Sequence, residues 1–415
     1  MRVWILQTGE PLHIDNDGSR PMRAINLSNK LVERGHQVTL WSSKYNHQKK
    51  IQRSDKYKNI NINDNLKIIL ISSTGYKKNV SLARLIDHFF LAINLQKKLN
   101  KIEALPDVVF IGYPPIESAY VMTKWLKKNN IPSMLDVKDQ WPIVLVRSTP
   151  KLLRPIASIL SFPYFLMAKK SMNYTNSISA MSNGFLDWAR KFSNTSPNEF
   201  DKVVYLTSPP TILTDMESTS AVEWWAKRGV IKNDKFRIMF VGSFSRAFDF
   251  DQIFESAKEL SLKNIDCEFV LCGDGELYKK LEEKALNYFN IKVIGWIDQS
   301  KIMELSKVSS LFIAPYKNSD DFVISIPNKV IDSMRLALPI ICPLKGEVKK
   351  LINNNNIGFY YNNSSSLVSS INILINDNNI QQQMSKNAEN LYNSKFSFNN
   401  VYDDLVSHLE NMAKK

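Results

Sequence analysis

Short apolar runs alternate with stretches of helical periodicity twice along this chain, and that rhythm restricts the fold more than any other feature. In the first half, Val3 to Gln7 reads as a strand, Arg20 to Arg34 as a helix, and Gln37 to Ser42 and Leu66 to Ser72 as strands. Leu82 to Leu99 (helix), Val108 to Gly112 (strand), Glu117 to Lys128 (helix) and Pro132 to Val137 (strand) continue it. Arg34-Gly35-His36 suits a helix end, with a cation in the last turn and glycine for the left-handed residue. Alternation with short turns predicts a parallel sheet covered on both faces.

The second half repeats the pattern. Strands are expected at Arg237 to Val241, Cys267 to Cys272, Ile291 to Ile294, Leu311 to Ala314 and Pro339 to Cys342. Helices are expected at Phe250 to Ser261, Tyr278 to Ala285, Lys301 to Ser306 and Lys329 to Leu336. The expected fold is therefore α/β, with two doubly wound domains. Ligands bind such sheets beyond the carboxyl ends of the strands, so the active site is expected in the cleft between the domains. A chain of 415 residues with 44% apolar content has material for two cores. The expected boundaries are 1–206, a linker over 207–225 begun by Thr207-Ser208-Pro209-Pro210, 226–395, and a final helix over 396–415 that returns to the first domain.

Lys and Arg number 54 against 40 acidic residues, a formal charge of +14. Such a balance favours an anionic partner, although Lys, Asn and Ile enrichment along the whole chain would produce it without a function. No basic stretch interleaved with aromatics marks a nucleic-acid reader, and no nucleic-acid partner is expected. Cys267, Cys272 and Cys342 have no metal-ligand spacing and read as reduced thiols of a cytosolic protein. His13, His36, His47, His88 and His408 share no metal spacing either, and no metal or cofactor is expected. Asp249-Phe250-Asp251 imitates a metal-binding pair of carboxylates but opens a helix, where acids are expected anyway. Met1 to Leu6 lacks the layout of a signal peptide, and no run of ~18 apolar residues occurs. One segment stands apart. Arg147, Lys151 and Arg154 precede the apolar run Ile156 to Ala168, which Lys169 and Lys170 close. Residues 147–170 could lie along an anionic membrane surface, or form a buried helix of the first domain.

Three motifs could carry chemistry. Phe240-Val241-Gly242-Ser243-Phe244 turns from strand to helix, and its glycine lets the backbone approach a phosphate. Leu271-Cys272-Gly273-Asp274-Gly275 does the same after the next strand, as a turn or as a ligand contact. Ser325-Ile326-Pro327-Asn328-Lys329 opens a helix with free amides and a cation, and Asp332 follows one turn later, within reach of a ribose hydroxyl.

In order and spacing, Phe240 to Phe250, Cys267 to Gly275, Val293-Ile294-Gly295-Trp296-Ile297, Ala314-Pro315-Tyr316 and Pro327 to Ile341 resemble the donor domain of the family-four retaining glycosyltransferases of GT-B fold. Arg20-Pro21-Met22-Arg23 and Glu33 to Leu40 are similar to that family's first helix and second strand. Tyr113-Pro114-Pro115 and Asp136-Val137-Lys138-Asp139-Gln140-Trp141-Pro142 resemble a subgroup that builds O-antigen and capsular polysaccharides. The resemblance covers most of the chain. It implies transfer of a sugar from a nucleotide diphosphate donor, UDP by preference, to a lipid diphosphate-linked saccharide at the inner face of the plasma membrane. Gly242, Ser243 and Lys329 would then meet the diphosphate, Gly295, Trp296 and Ile297 the base, and Asp332 the ribose. Gly9, Arg246, Gly273, Ser325, Pro327 and Asn328 complete the candidate donor contacts. Tyr113 and Trp141 are candidates on the acceptor side, and Asp139 and Lys329 are the candidate catalytic residues. The leaving phosphate would help to deprotonate the incoming hydroxyl, with the protein positioning reactants and neutralising charge.

Two departures stand out. The family's two glutamates, seven residues apart, correspond to Ile324 and Asp332, so the first carboxylate is missing. A histidine common after a first-domain strand is also absent, with Tyr113 and Asp139 in the candidate turns. Asp139 could instead be a cap or turn residue. A nucleotide-sugar 2-epimerase of the same architecture and a non-catalytic sugar-nucleotide-binding protein remain open.

Overall fold

The structure is a computed structural model of the chain and describes residues 1–15, 20–53, 59–79 and 81–414. It divides into two compact units: Met1–Ser208 with the chain from Val401 onward, and Pro209–Asn400.

In the first unit the strands are β1 (Arg2–Leu6), β2 (Gln37–Ser43), β3 (Tyr45–Asn46), β4 (Ile51–Gln52), β5 (Asn59–Asn63), β6 (Leu66–Ile71), β7 (Val108–Tyr113), β8 (Ser133–Val137), β9 (Ser177–Ala180) and β10 (Lys202–Val203). β3 and β4 pair with each other, and the rest form a sheet in the order β10-β9-β8-β7-β1-β2-β6-β5. Its pairings are parallel except for β5 against β6. Every residue of β7 and β8 is buried, which explains their unbroken apolar character. Strand order reverses between β1 and β7, so the loops after these two strands border a crevice.

The helix expected from Arg20 begins at Arg23. Arg20 precedes Pro21, whose ring disfavours helical backbone at that position. The helix ends as expected: Gly35 adopts a φ of 78°, and the Gly35 and His36 amides donate to the Val32 and Leu31 carbonyls at 2.9 and 3.0 Å. From Val401, helix Phe398–Ala413 packs on this unit. Tyr402 is buried and its hydroxyl accepts from Asn26 Nδ2 at 3.3 Å, while Glu410 pairs with Arg34 at 3.0 Å and His36 at 2.8 Å.

Residues 147–170 do not form the buried helix weighed above. They break into short helices, including Arg154–Leu160 and the start of Phe162–Tyr174. Leu152 is 92% exposed, Ile159 74% and Leu160 73%. Ala168 and Met172 are buried and anchor the second helix. Among the described residues no helix is long and apolar enough to cross a membrane.

The second unit holds β11 (Phe236–Val241), β12 (Cys267–Cys272), β13 (Ile291–Ile294), β14 (Leu311–Ile313), β15 (Ile340–Cys342) and β16 (Gly358–Tyr360). They form a parallel sheet in the order β13-β12-β11-β14-β15-β16, reversing between β11 and β14. The stretch 207–225 is not wholly irregular, since helix Asp215–Ala226 occupies its second part. Its start is a capping box: the Thr214 hydroxyl accepts from the Glu217 amide, and the Glu217 carboxylate accepts from the Thr214 amide at 2.9 Å. The polar residues that masked the helix in the sequence are those its first turn requires. Trp225 closes it, buried, with its indole N–H donating to the Lys301 carbonyl at 2.8 Å. The three cysteines are buried and unbonded, and burial pushes the Cys267 thiol up to about 12, which keeps it unreactive.

Candidate functional site

In the second unit, the carboxyl ends of β11, β12 and β13 bring three glycine turns together. Gly242 has a φ of 157°, and its amide donates to the Cys272 carbonyl at 2.9 Å. The Gly273 amide donates to the Ile294 and Gly295 carbonyls at 3.1 and 3.2 Å. A Cβ on Gly273 would stand 1.7 Å from the Gly242 carbonyl oxygen, so close backbone approach demands glycine there.

Lys329 enters this place from helix Asn328–Arg335, whose N-cap is Pro327 and which has no side-chain cap bond. Its ammonium donates to the Val241 carbonyl at 2.7 Å and stands 5.1 and 5.3 Å from the centres of the Phe240 and Phe248 rings. A Cβ on Gly242 would come within 1.7 Å of Lys329 Nζ. A cation, a helix opening and a bare backbone turn thus meet in one small region, an arrangement suited to phosphate oxygens.

The other candidates of this unit fall around that point. Ser243 and Asn328 are exposed, Ile297 is buried, and Trp296 is 74% exposed. Asp332 is half-buried, 3.6 Å from Arg335. Ser325 is buried and its hydroxyl donates to the Phe322 carbonyl at 3.2 Å. Arg246 is exposed and pairs with Glu276 at 3.4 Å. Ile324 ends the short helix Asp320–Val323, so the carboxylates near that position are Asp320 and Asp321. Asp251 pairs with Lys284 at 2.6 Å, and Asp249 accepts from Gln252 at 2.9 Å. Among the described residues no group of three or more His, Cys, Asp or Glu is arranged to hold a metal.

The first unit has a cavity of about 210 Å³ beyond the carboxyl ends of β1, β2 and β7. Gly9, Tyr113, Pro114 and Pro115 line it, with Lys138 after β8. A Cβ on Gly9 would meet nothing within 4 Å, so packing does not require this glycine. The Tyr113 hydroxyl donates to the Trp141 carbonyl inside the wall, and burial holds its phenol well above the usual range. Asp139 accepts from the Gln140 amide at 2.7 Å, a turn contact. Lys138 pairs with Glu10 and lies 3.5 Å from Asp136.

Sequence reasoning missed His47, Tyr76, Arg84 and His88, which also line this cavity. The Tyr76 hydroxyl and His47 Nδ1 are hydrogen-bonded, and the Arg84 guanidinium lies 4.8 Å from the Trp141 ring and 5.6 Å from the Tyr76 ring. Burial, then Lys50, Arg84 and His88, drive the His47 imidazole down to about 4. Burial pushes the Tyr76 phenol up to about 12. Arg84 and His88 lie one turn apart on helix Leu82–Leu99, but His47 and Tyr76 come from separate loops with no spacing that links them to it.

Residues 223–391 match the family described as glycosyl transferases group 1. The second unit carries a group 1 glycosyltransferase domain. The glycine turns, Lys329 and Asp332 all lie inside it. The chain is also similar to an alpha-D-kanosaminyltransferase of Streptomyces kanamyceticus, with 21% identity over 226 residues. That match spans 53% of this chain and 56% of the relative. Among solved structures, Anabaena HepE in complex with UDP superposes with a TM-score of 0.64 at 12% identity, covering 99% of both chains. WaaG, a glycosyltransferase involved in lipopolysaccharide biosynthesis, gives 0.60 at 14% identity, again over 99% of both. The fold is the GT-B fold of these glycosyltransferases.

Proposed function

We propose that this chain moves a sugar from a nucleotide diphosphate donor to a lipid diphosphate-linked saccharide, with retention at the anomeric carbon, in the synthesis of a bacterial surface polysaccharide. The observation that carries the reading is the meeting of Lys329, the opening of helix Asn328–Arg335 and the Gly242 turn. In this reading the diphosphate lies against Gly242, Ser243 and Lys329. The base lies along Gly295 to Ile297, and Asp332 holds the ribose. A full positive charge and oriented amides stabilise the pyrophosphate as it departs, without covalent catalysis.

UDP is the proposed carrier, supported by the HepE structures with UDP, with UDP and glucose, and with UDP-glucose. WaaG, involved in lipopolysaccharide biosynthesis, supports the polysaccharide context. The acceptor is assigned to the cavity of the first unit, where Asp139 and Trp141 flank the Tyr113 wall. Attachment to the inner face of an anionic membrane is assigned to residues 147–170, whose exposed Ile156, Ile159 and Leu160 sit among Lys151, Arg154, Lys169 and Lys170. Leu82, Ile86, Phe89 and Phe90 form a second exposed apolar row, along one face of helix Leu82–Leu99 in the same unit.

The test is release of nucleotide from a panel of nucleotide sugars, with and without a lipid diphosphate acceptor. Acceptor-dependent release supports the transferase. Isomerised donor without acceptor identifies an epimerase, and binding without turnover a non-catalytic protein; either result removes the proposal.

A further inference from the structure

At the rim of the first unit's cavity, which Arg84 and Asp87 line, two cations crowd one aromatic ring. Lys50 Nζ stands 3.3 Å from His47 Nδ1 and 4.8 Å from the centre of the Tyr76 ring. Arg84 borders the same ring at 5.6 Å. Among the described residues neither cation has a carboxylate within ion-pair distance. Lys50 donates to the Asn79 side chain at 2.5 Å and Arg84 Nη1 to the Asn79 carbonyl at 2.9 Å, so neutral oxygens hold both charges in place. Arg84 Nε is buried without a hydrogen-bond partner. Of the nearby acids, Glu10 is paired with Lys138, Asp87 lines the cavity and accepts from the Gly75 amide at 2.5 Å, and Glu117 faces His88 Nδ1 at 3.6 Å.

Two like charges fixed beside one ring repel each other, and the cost is highest where water is partly excluded. The same field falls on His47, whose Nδ1 is hydrogen-bonded to Tyr76 and faces Lys50, an arrangement that favours the neutral imidazole. An arrangement that costs energy when empty and would relax around an anion marks a preorganised anion site.

We infer that Lys50, Arg84 and His47 form a subsite for a phosphoryl group carried by the acceptor. The inference rests on the transferase reading only for the word acceptor. A phosphoryl group presents oxygens on several sides and can accept from the ammonium and the guanidinium together, whereas a carboxylate offers two oxygens in one plane. The rings of Tyr76 and Trp141 hold the guanidinium in orientation.

The experiment follows the His47 ring signals of the full chain by NMR during titration with phenyl phosphate, decyl phosphate, glucuronate or glucose. UDP binding is measured on the same sample. Both phosphates are expected to shift the His47 signals and to raise the pH at which the ring titrates by about one unit as the cations are compensated. Tighter binding of decyl phosphate would assign the phosphoryl group to a lipid, and equal binding to a sugar phosphate. Lys50→Gln and Arg84→Gln should each weaken phosphate binding about tenfold or more, with UDP binding unchanged. Lys50→Gln keeps the test usable should Arg84→Gln disturb the aromatic packing. Normal UDP binding with no phosphate response at His47, or a preference for glucuronate, overturns the subsite alone. A phosphate response that both variants retain overturns it too. A phosphate response without UDP binding overturns the transferase reading and leaves the anion site standing.

Discussion

Replacing Gly242 by alanine should abolish most donor binding by displacing the lysine that stands against this turn. The added Cβ would fall 1.7 Å from Lys329 Nζ and 2.4 Å from Lys329 Cε, so the flexible end of that side chain must leave. Its bond to the Val241 carbonyl, 2.7 Å in the structure, is then lost, and the cation moves off the Gly242 turn. A hydrogen bond to a charged group contributes about 1.5–3 kcal/mol, so affinity for UDP should fall about 10- to 150-fold. The backbone adds a separate cost, since alanine at a φ of 157° is strained by about 1–2 kcal/mol, which appears in unfolding rather than in binding. Lys329→Ala should reduce UDP affinity by a similar factor, and it removes the obstruction. In a Lys329→Ala background, Gly242→Ala should therefore cost nothing further in binding, a non-additive cycle. Calorimetric titration of UDP into the wild type, both single variants and the double variant reads all four corners. Wild-type affinity in Gly242→Ala, or losses that add in the double variant, would show that the ammonium beside Gly242 is not what holds the diphosphate.

Four further outcomes are expected. Ile159→Asp with Leu160→Asp should release the protein from anionic vesicles in a sedimentation assay while leaving its melting temperature nearly unchanged, because both side chains are largely exposed; unchanged sedimentation would remove the membrane role of 147–170. Arg23→Met should lower stability by about 3 kcal/mol in denaturant unfolding, because it leaves the fully buried Asp136 carboxylate, 2.7 Å away, with Ser179 and the more distant Lys138 alone; a loss under 1 kcal/mol would contradict the pairing. His47 titrates near 4 when folded against about 6.5 unfolded, so between these values the unfolded chain binds more protons and stability falls as pH drops. The full shift corresponds to about 3 kcal/mol, and partial exposure reduces it to about 1–2 kcal/mol. His47→Gln should flatten the stability profile between pH 6.5 and 4, and an unchanged slope would place the titrating group elsewhere. Arg237→Met should cost about 3 kcal/mol by leaving Glu268, 2.8 Å from Arg237 Nε, with Lys292 alone, as thermal unfolding would report.

Much of the second unit could be read before any coordinates. The spans Cys267–Cys272, Tyr278–Ala285 and Ile291–Ile294 match the expected elements residue for residue, because a buried parallel strand and an amphipathic helix each impose a local period. The turns at Gly242 and Gly273 were legible for a similar reason, since glycine at a strand-to-helix junction signals an unusual backbone or a close approach. Helix Asp215–Ala226 was hidden because its polar start resembles a linker. The cavity of the first unit was hidden more completely, since His47 and Tyr76 share no spacing with the helical pair Arg84 and His88.

Local order, then, was determined by the sequence alone: the two rounds of strand and helix, the glycine turns, and a lysine at the opening of Asn328–Arg335. The tertiary structure decided which distant residues meet. It set Lys329 against the Val241 carbonyl, gave Arg23 to the buried Asp136, and gathered Lys50, Arg84 and His47 around one tyrosine. It also left Leu152, Ile159 and Leu160 in solvent, where apolar character alone had allowed a buried helix. Periodicity reports only what a segment needs from its neighbours in the chain. Strand order and the burial that follows from it join segments far apart in sequence, and side chains with no common pattern acquire a common site only there.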